Sequence, residues 1–396
     1  MRSFAFEPFD LPPETETLRA EVRAFLAETI PNRTARERAE SWMGLDPAFS
    51  RKMGARGWLG MTWPKKYGGH ERTFADRYVV IEEMLAAGAP VSFHWIADRQ
   101  SGPLLLRFGT EEQRQTILPR IARGEVCFCI GMSEPGAGSD LAGVRTRGHK
   151  VDGGWRVSGQ KTWTSNAHIA TYMIALVRTS EGERHAGLSQ LMIDMTSPGV
   201  TVRPIENLTG AADFNEVFLN DVFVPESMLI GQDGNGWKQV NAELAYERSG
   251  PERYLSSIRI FQEFLRVVGT EPTEAERLFI GQVTAQMWTL RQMSLSVAGK
   301  LSRGEDPMAD ATIVKDLGTT LEQMLPPAIQ ALVPPDHLVF FEDINSGVTI
   351  GHGAPIVDRD FNSTLAYLVQ ASPSFSLRGG TREILRGIIA RELGLR

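Results

Sequence analysis

The spacing of apolar residues divides the chain into three stretches. From residue 14 to about 125 apolar side chains recur every three or four positions, which predicts helices over "TETLRAEVRAFLAETI" and "ADRYVVIEEMLAAGA". A threonine cap and an acidic first turn open a further helix in "GTEEQRQTILPRIARGE". Between these segments "RGWLGMTWPKKYGGHE" is loop-like, rich in Gly, Pro and Trp. From about 126 to 232 the period falls to two. "GGWRVSGQKTWTSNA", "TYMIALVRT", "LSQLMIDM", "GVTVRPIE" and "NEVFLNDVFVP" alternate between Gly, Asn, Asp and Pro breaks, the pattern of an antiparallel sheet or small barrel. After "GQDGNGW" the helical period returns and runs to Arg396, interrupted by Pro334, Pro335 and "SGVTIGHGAPI"; "ASPSFSLRGG" precedes a last helix, "TREILRGIIAREL". There is no internal repeat. The expectation is an α+β multidomain chain: an all-α domain at 1–125, a β domain at 126–232 and a helical domain at 233–396.

One predicted helix contains a misfit. "VNAELAYERSGPERYLSSIRIFQEFL" carries an apolar stripe of Val240, Leu244, Pro251, Tyr254, Ile258, Phe261 and Leu265. The stripe position between Leu244 and Pro251 is Glu247. An inward carboxylate is costly unless something pairs with it or uses it. Arg248 and Arg253 are the nearby partners for a purely structural ion pair; burial would otherwise raise the pKa of Glu247 towards a useful range for a base.

Composition narrows the function. A net charge of −6 argues against a general nucleic-acid binder, though a local cationic patch for an anionic ligand stays open. Cys127 and Cys129 would face the same side of a strand, poorly placed for a disulfide, and read as buried free thiols rather than a metal pair. The N-terminal "MRSFAFEPFDLPPETE" lacks the build of a signal peptide, and no apolar run reaches about 18 residues. These features predict a cytoplasmic protein with no membrane span and no metal.

Two segments carry chemistry. In "CIGMSEPGAGSDLAG", Gly136 and Gly138 allow close approach of a ligand to the backbone, and Ser133 and Ser139 add hydroxyls. Without a strand before and a helix after, it is no dinucleotide fingerprint; taken alone it is equally a structural turn. In "GQKTWTSNAH", a tryptophan between hydroxyl residues could wall off a flat cofactor, or fill a barrel core.

Taken in order, "MSEPGAGSD", "G-x-K-x-WTSNA", "FNEVFLNDVFVPE-x-x-L-I-G" and the terminal "RGGTREILRGIIARELG", with "LLLRFGTEEQRQTILPRIARGE" upstream, resemble the acyl-CoA dehydrogenase family. The resemblance implies an N-terminal helical domain, a central antiparallel β-barrel and a C-terminal four-helix bundle, binding FAD and a CoA thioester. It implies cofactor contacts at Met132, Ser133, Gly138, Trp163, Ser165 and Thr381, and substrate contacts at Ser139 and Arg248. The family's chemistry is α,β-desaturation: a carboxylate takes the α-proton while the β-hydrogen leaves as hydride to flavin N5. Many members carry that base just before the Gly-Thr of the C-terminal turn, where this chain has Gly379, whose N–H would then serve the thioester oxygen. Another branch takes the base from the first long helix after the barrel, where a glutamate directly precedes an arginine. Here that pair is Glu247–Arg248.

The resemblance also has gaps. The family's R-x-x-F-G segment and its later Q-x-x-G-G-x-G turn, both of which reach a neighbouring subunit's FAD, have no match; "LRVVGTEPTEAERLFIGQ" and "INSGVTIGHGAPIVDRD" stand there. This implies a tetramer, either with unusual cofactor contacts or as an α2β2 assembly with a second acyl-CoA dehydrogenase-like chain, as in members acting on bulky substrates such as steroid side chains. An electron-transfer flavoprotein would take the electrons. An acyl-CoA oxidase or flavin oxygenase on the same fold, or a catalytically silent partner subunit, are the competing readings.

Overall fold

The computed structural model describes residues 4–182, 184–247, 250–333, 342–343, 348–349 and 358–395, with the backbone alone at 242–247, 342–343 and 348–349. Seven helices precede the main sheet: α1 (Glu14–Thr29), α2 (Ala35–Ala39), α3 (Pro47–Ala55), α4 (Phe74–Ala86), α5 (Ser92–Ile96), α6 (Gly102–Phe108) and α7 (Glu111–Ala122). Among the described residues six follow it: α8 (Gly236–Glu247), α9 (Ile258–Val268), α10 (Glu274–Ser302), α11 (Met308–Leu332), α12 (Arg359–Ala371) and α13 (Arg382–Glu392). The chain forms two compact units, one from residues 45–73 and 91–247 and the other from 1–44, 74–90 and 248–396.

The first unit holds the sheet. Its strands are β1 (Phe128–Gly131), β2 (Arg147–Val151), β3 (Gly154–Ser165), β4 (Tyr172–Arg178), β5 (Leu188–Asp194), β6 (Val200–Ile205), β7 (Phe214–Pro225) and β8 (Leu229–Ile230). They run in the order β6-β7-β3-β2-β4-β5-β8, with β1 added alongside β4. Neighbours are antiparallel except β1–β4 and β2–β4, which are parallel. The β2–β3 hairpin supplies the length of chain that the parallel β1–β4 crossover needs.

Strand β4 shows why the sequence reads as it does. Its core residues are buried on both faces, so it is nearly continuously apolar. Met173, Ala175 and Val177 join Trp155, Val157, Val217 and both cysteines on one side of the sheet. On the other side Ile174 meets Leu104, Leu118, Ile121 and Phe128, beneath α6 and α7. The cysteines are free and buried, and burial pushes the Cys127 thiol up to about 12. Helix α7 starts as its sequence predicts: Gln113 N–H donates to Thr110 Oγ1 (3.1 Å), and Thr110 N–H returns the bond to Gln113 Oε1 (3.0 Å).

The second unit is helical. Leu18, Val22, Phe25 and Leu26 bury the inner face of α1, which packs on α4; α4 meets α10, α10 meets α11, and α11 meets α13. Charged residues pin the packing. Glu82 on α4 accepts from Arg19 on α1 (3.0 Å) and from Arg291 on α10 (2.7 Å). The hydroxyls of Tyr78 and Tyr254, both buried, lie 2.7 Å apart.

The single long helix expected from 240 to 265 is not formed. Helix α8 is described as far as Glu247, a 3₁₀ turn occupies Pro251–Arg253 with Gly250 extended before it (φ −75°, ψ 173°), and α9 begins at Ile258. Pro251 lacks the N–H that a continuing helix would need and disfavours a helical residue before it. Tyr254, Ile258 and Phe261 are buried as the stripe predicts, but Leu265 is exposed. Among the described residues no helix is long and apolar enough to cross a membrane, and no cluster of side chains could hold a metal ion.

Candidate functional site

The segment after β1 is organised around a buried ion pair. Glu134 and Ala137 exchange backbone hydrogen bonds (2.9 and 3.0 Å), closing a tight turn over Pro135 and Gly136. The Glu134 carboxylate turns inward. It accepts from the backbone N–H groups of Arg145 (2.6 Å) and Thr146 (3.0 Å) and from the Lys161 ammonium (2.8 Å). Lys161, fully buried on β3, also donates to the carbonyls of Leu176 (2.6 Å) and Met132 (3.3 Å), so its three N–H donors meet three acceptors. Burial works against the Glu134 carboxylate, but the charge of Lys161 and the hydrogen bonds outweigh it and hold its pKa below the usual value. Burial lowers the Lys161 ammonium to about 8, against the pull of Glu134. The pair is therefore mostly ionised at neutral pH.

Next to Lys161 the strand is deformed. The β3–β7 register slips between Lys161 and Thr164, and Trp163 sits in the left-handed region at φ 56°. A bulge re-aims a side chain, and left-handed backbone is costly for a bulky residue. The indole stands 61% exposed, edge-on to Phe214 with ring centroids 6.3 Å apart. The N–H of Thr162 donates to the Ser133 carbonyl (2.9 Å), so the two glycine- and tryptophan-bearing motifs are tied together directly. Asn166, also left-handed at φ 60°, donates its side-chain amide to Ser92 Oγ (2.8 Å). Ser133 and Ser165 are half-buried, while Gly138 and Ser139 are exposed. A Cβ placed on Gly136 or Gly138 would meet nothing within 4 Å, leaving open space beside the backbone.

Helix α8 rests on the same loop. Val240 is buried with Ala137, Val144, Leu176 and Leu188, and Met132, Leu141 and Trp237 pack against them. Gln239 Nε2 donates to the Ile230 carbonyl (2.6 Å) and fixes the helix along the end of the sheet. Glu247 is the last residue of α8, two turns (about 10 Å) beyond Val240 and on the same helical face by backbone periodicity. Its side chain and the whole of Arg248 lie outside the described residues.

Gly379 and Thr381 belong to the helical unit. Gly379 (φ 63°) and Gly380 (φ 100°) are consecutive left-handed residues, and Thr381, extended at ψ 163°, begins α13. Side chains on both sides anchor this turn. The buried Lys315 of α11 donates to the Gly380 carbonyl. The Arg378 guanidinium lies over Trp42 (4.1 Å) and Phe375 (4.0 Å). Arg382 reaches Asp316 (3.0 Å).

The structure thus brings Met132, Ser133, Gly138, Ser139, Trp163 and Ser165 into one unit with α8, and Gly379 and Thr381 into the other. Sequence reasoning missed Glu134, Lys161 and Lys315. The signal existed for two of them. Lys161 continues the inward alternation of Trp155 and Val157, and Lys315 lies on the buried stripe of Ala311, Gly318 and Glu322.

Comparison with known proteins places this geometry in context. Residues 12–125 match the model for "Acyl-CoA dehydrogenase, N-terminal domain", and residues 129–222 match that for "Acyl-CoA dehydrogenase, middle domain". Acyl-CoA dehydrogenase FadE26 of Mycobacterium tuberculosis is 31% identical over 95% of this chain and 96% of its own length. Two further mycobacterial relatives, 37% and 35% identical, are matched over only 63% and 38% of their lengths. Among solved structures, the Tcur3481-Tcur3483 steroid ACAD superposes with a TM-score of 0.83 at 27% identity, covering 99% of each chain. The ChsE4-ChsE5 complex from Mycobacterium tuberculosis gives 0.80 at 30% identity over 100% of each.

Proposed function

The chain belongs to the acyl-CoA dehydrogenase family, oxidoreductases acting on acyl-CoA, and from that membership we propose that it desaturates a bulky acyl-CoA thioester between Cα and Cβ with bound FAD. The observation that carries this reading is the exposed Trp163, held in a left-handed bulge and hydrogen-bonded through its neighbour Thr162 to the Ser133 segment. An aromatic face raised at a cost in backbone strain, beside two half-buried serines and two glycines with open space, fits a flat heterocycle with polar edges.

FAD, when bound, would supply the hydride acceptor, and an electron-transfer flavoprotein would take the electrons. The chain's own groups do the rest. Trp163 would cover one face of the ring system, while Met132, Ser133 and Ser165 would bind its polar edge. Gly138 lets the backbone come close, and Ser139 would contact the CoA arm. The family resemblance assigns Thr381 a cofactor contact and the Gly379 N–H to the thioester oxygen, where negative charge grows as the α-proton leaves. Glu247 would take that proton, with Arg248 beside it at the substrate.

The relatives support a narrower substrate class and assembly. One structural relative is named a steroid ACAD and another is a complex of two differently named chains. With R-x-x-F-G and Q-x-x-G-G-x-G missing from this sequence, a cytoplasmic α2β2 tetramer in which a related chain completes the FAD site is the best-supported assembly. Copurification with such a chain should raise flavin content well above that of this chain alone; full occupancy without it would remove the heteromer. Oxygen consumption with peroxide release would instead identify an oxidase.

A further inference from the structure

The buried Lys161–Glu134 pair is conspicuous because stability alone does not require it. Removing two charges from water costs several kcal/mol per ion, and apolar residues of similar volume often replace such a pair without loss. Its value lies in geometry. Lys161 sits one residue from Thr162, whose N–H holds Ser133, and its own ammonium holds the Met132 carbonyl. Through Glu134 it reaches the N–H groups of Arg145 and Thr146, eleven and twelve residues further along. One ammonium therefore fixes both ends of the loop that carries Gly136, Gly138 and Ser139. Leu176, the third acceptor, packs in the cluster that seats Val240 of α8.

We propose that Lys161 and Glu134 are positioning residues for the flavin: the pair sets the shape of the 132–146 loop, and the loop's shape sets cofactor affinity. Neither side chain is exposed enough to touch the cofactor itself. The inference rests on the FAD reading above but concerns a different step, the preorganisation of the loop before the cofactor arrives.

The test compares Lys161→Met, Glu134→Gln, the double variant and Val157→Ala, the last a truncation in the same sheet at a fully buried site. FAD dissociation constants are measured by fluorescence titration of the apoprotein, thermal midpoints by circular dichroism, and amide exchange across 132–146 by mass spectrometry. The expected result is a tenfold or greater rise in the dissociation constant for Lys161→Met and a smaller rise for Glu134→Gln, with faster exchange at Arg145 and Thr146. The double variant should be no worse than Lys161→Met, because the pair acts as one unit. Val157→Ala should lower the midpoint with FAD affinity unchanged. If Lys161→Met does not fold, Glu134→Gln, which keeps the side-chain shape but leaves one acceptor oxygen where the loop N–H groups and Lys161 use two, decides the matter alone. Unchanged FAD affinity in the folded charge variants, or an equal loss in Val157→Ala, overturns the proposal. Failure of the unaltered protein to take up FAD both alone and when copurified with a second acyl-CoA dehydrogenase-like chain would refute the flavin reading instead.

Discussion

The Lys161 ammonium stands 2.8 Å from the Glu134 carboxylate, with neither side chain more than 7% exposed. Twenty-seven residues separate them, and each has its remaining hydrogen-bonding capacity met by backbone groups on either side. A pair satisfied in this way is tolerated when whole and damaging when halved.

Lys161→Met should therefore lower unfolding free energy by about 3–5 kcal/mol, because it strands a buried carboxylate. Replacing both partners with apolar residues of similar size should recover much of that loss. Denaturant titration measures both; a loss under about 1 kcal/mol for the single variant, a magnitude typical of surface pairs, would contradict a buried pair.

The pH dependence follows from the burial of the same pair. Burial lowers the Lys161 ammonium to about 8, below its ordinary 10.5, although the facing Glu134 carboxylate pulls it upward. Between those values the unfolded chain binds more protons, so this group's contribution to stability rises with pH across that window. Glu134 is also depressed below its ordinary 4.5. Its contribution is full above that value and is lost as pH falls through the folded pKa. The stability advantage of the unaltered protein over Lys161→Met should thus widen by roughly 1–3 kcal/mol from pH 8 to 10.5. Equilibrium unfolding at both pH values checks this, and an advantage that narrows would contradict it.

Trp163→Gly separates binding from folding. Glycine adopts φ 56° without penalty, and the indole it removes is mostly exposed. Stability should change by no more than about 1 kcal/mol, while FAD affinity falls tenfold or more. Equal FAD affinity in a titration would remove Trp163 from the cofactor site.

The turn at 378–382 makes its own prediction. Gly380→Ala forces a side chain into φ 100° and should cost at least about 1–2 kcal/mol. Lys315→Met removes the donor to the Gly380 carbonyl and should speed amide exchange at Thr381 and Arg382. Unchanged exchange there would mean that the turn is held without Lys315.

Much of the architecture is legible because local rules and packing agree. The Thr110 cap, the two-sided burial of β4 and the alternation of β3 are all written in residues close in sequence. The break after Glu247 was missed because apolar spacing alone carried the helix through Pro251, and periodicity says nothing about where backbone hydrogen bonds stop. Lys161 and Lys315 were missed for another reason. A lysine is surface-bound by default, and the acceptors that make it an interior residue lie 15 to 65 positions away, in contacts that no local pattern contains. Both of these departures flank the motifs assigned to chemistry, where natural sequences most often break local rules.

Glu247 is the centre of the proposed chemistry. The decisive measurement is an anaerobic titration of FAD-loaded protein with CoA thioesters of graded size, steroidal ones included, for the unaltered chain and for Glu247→Gln. The prediction is that the flavin absorbance of the unaltered protein bleaches with its best thioester, while Glu247→Gln keeps its flavin, binds the same thioester and is reduced at least a thousandfold more slowly, the order expected for loss of a general base. Bleaching at an undiminished rate in the variant would contradict the assignment.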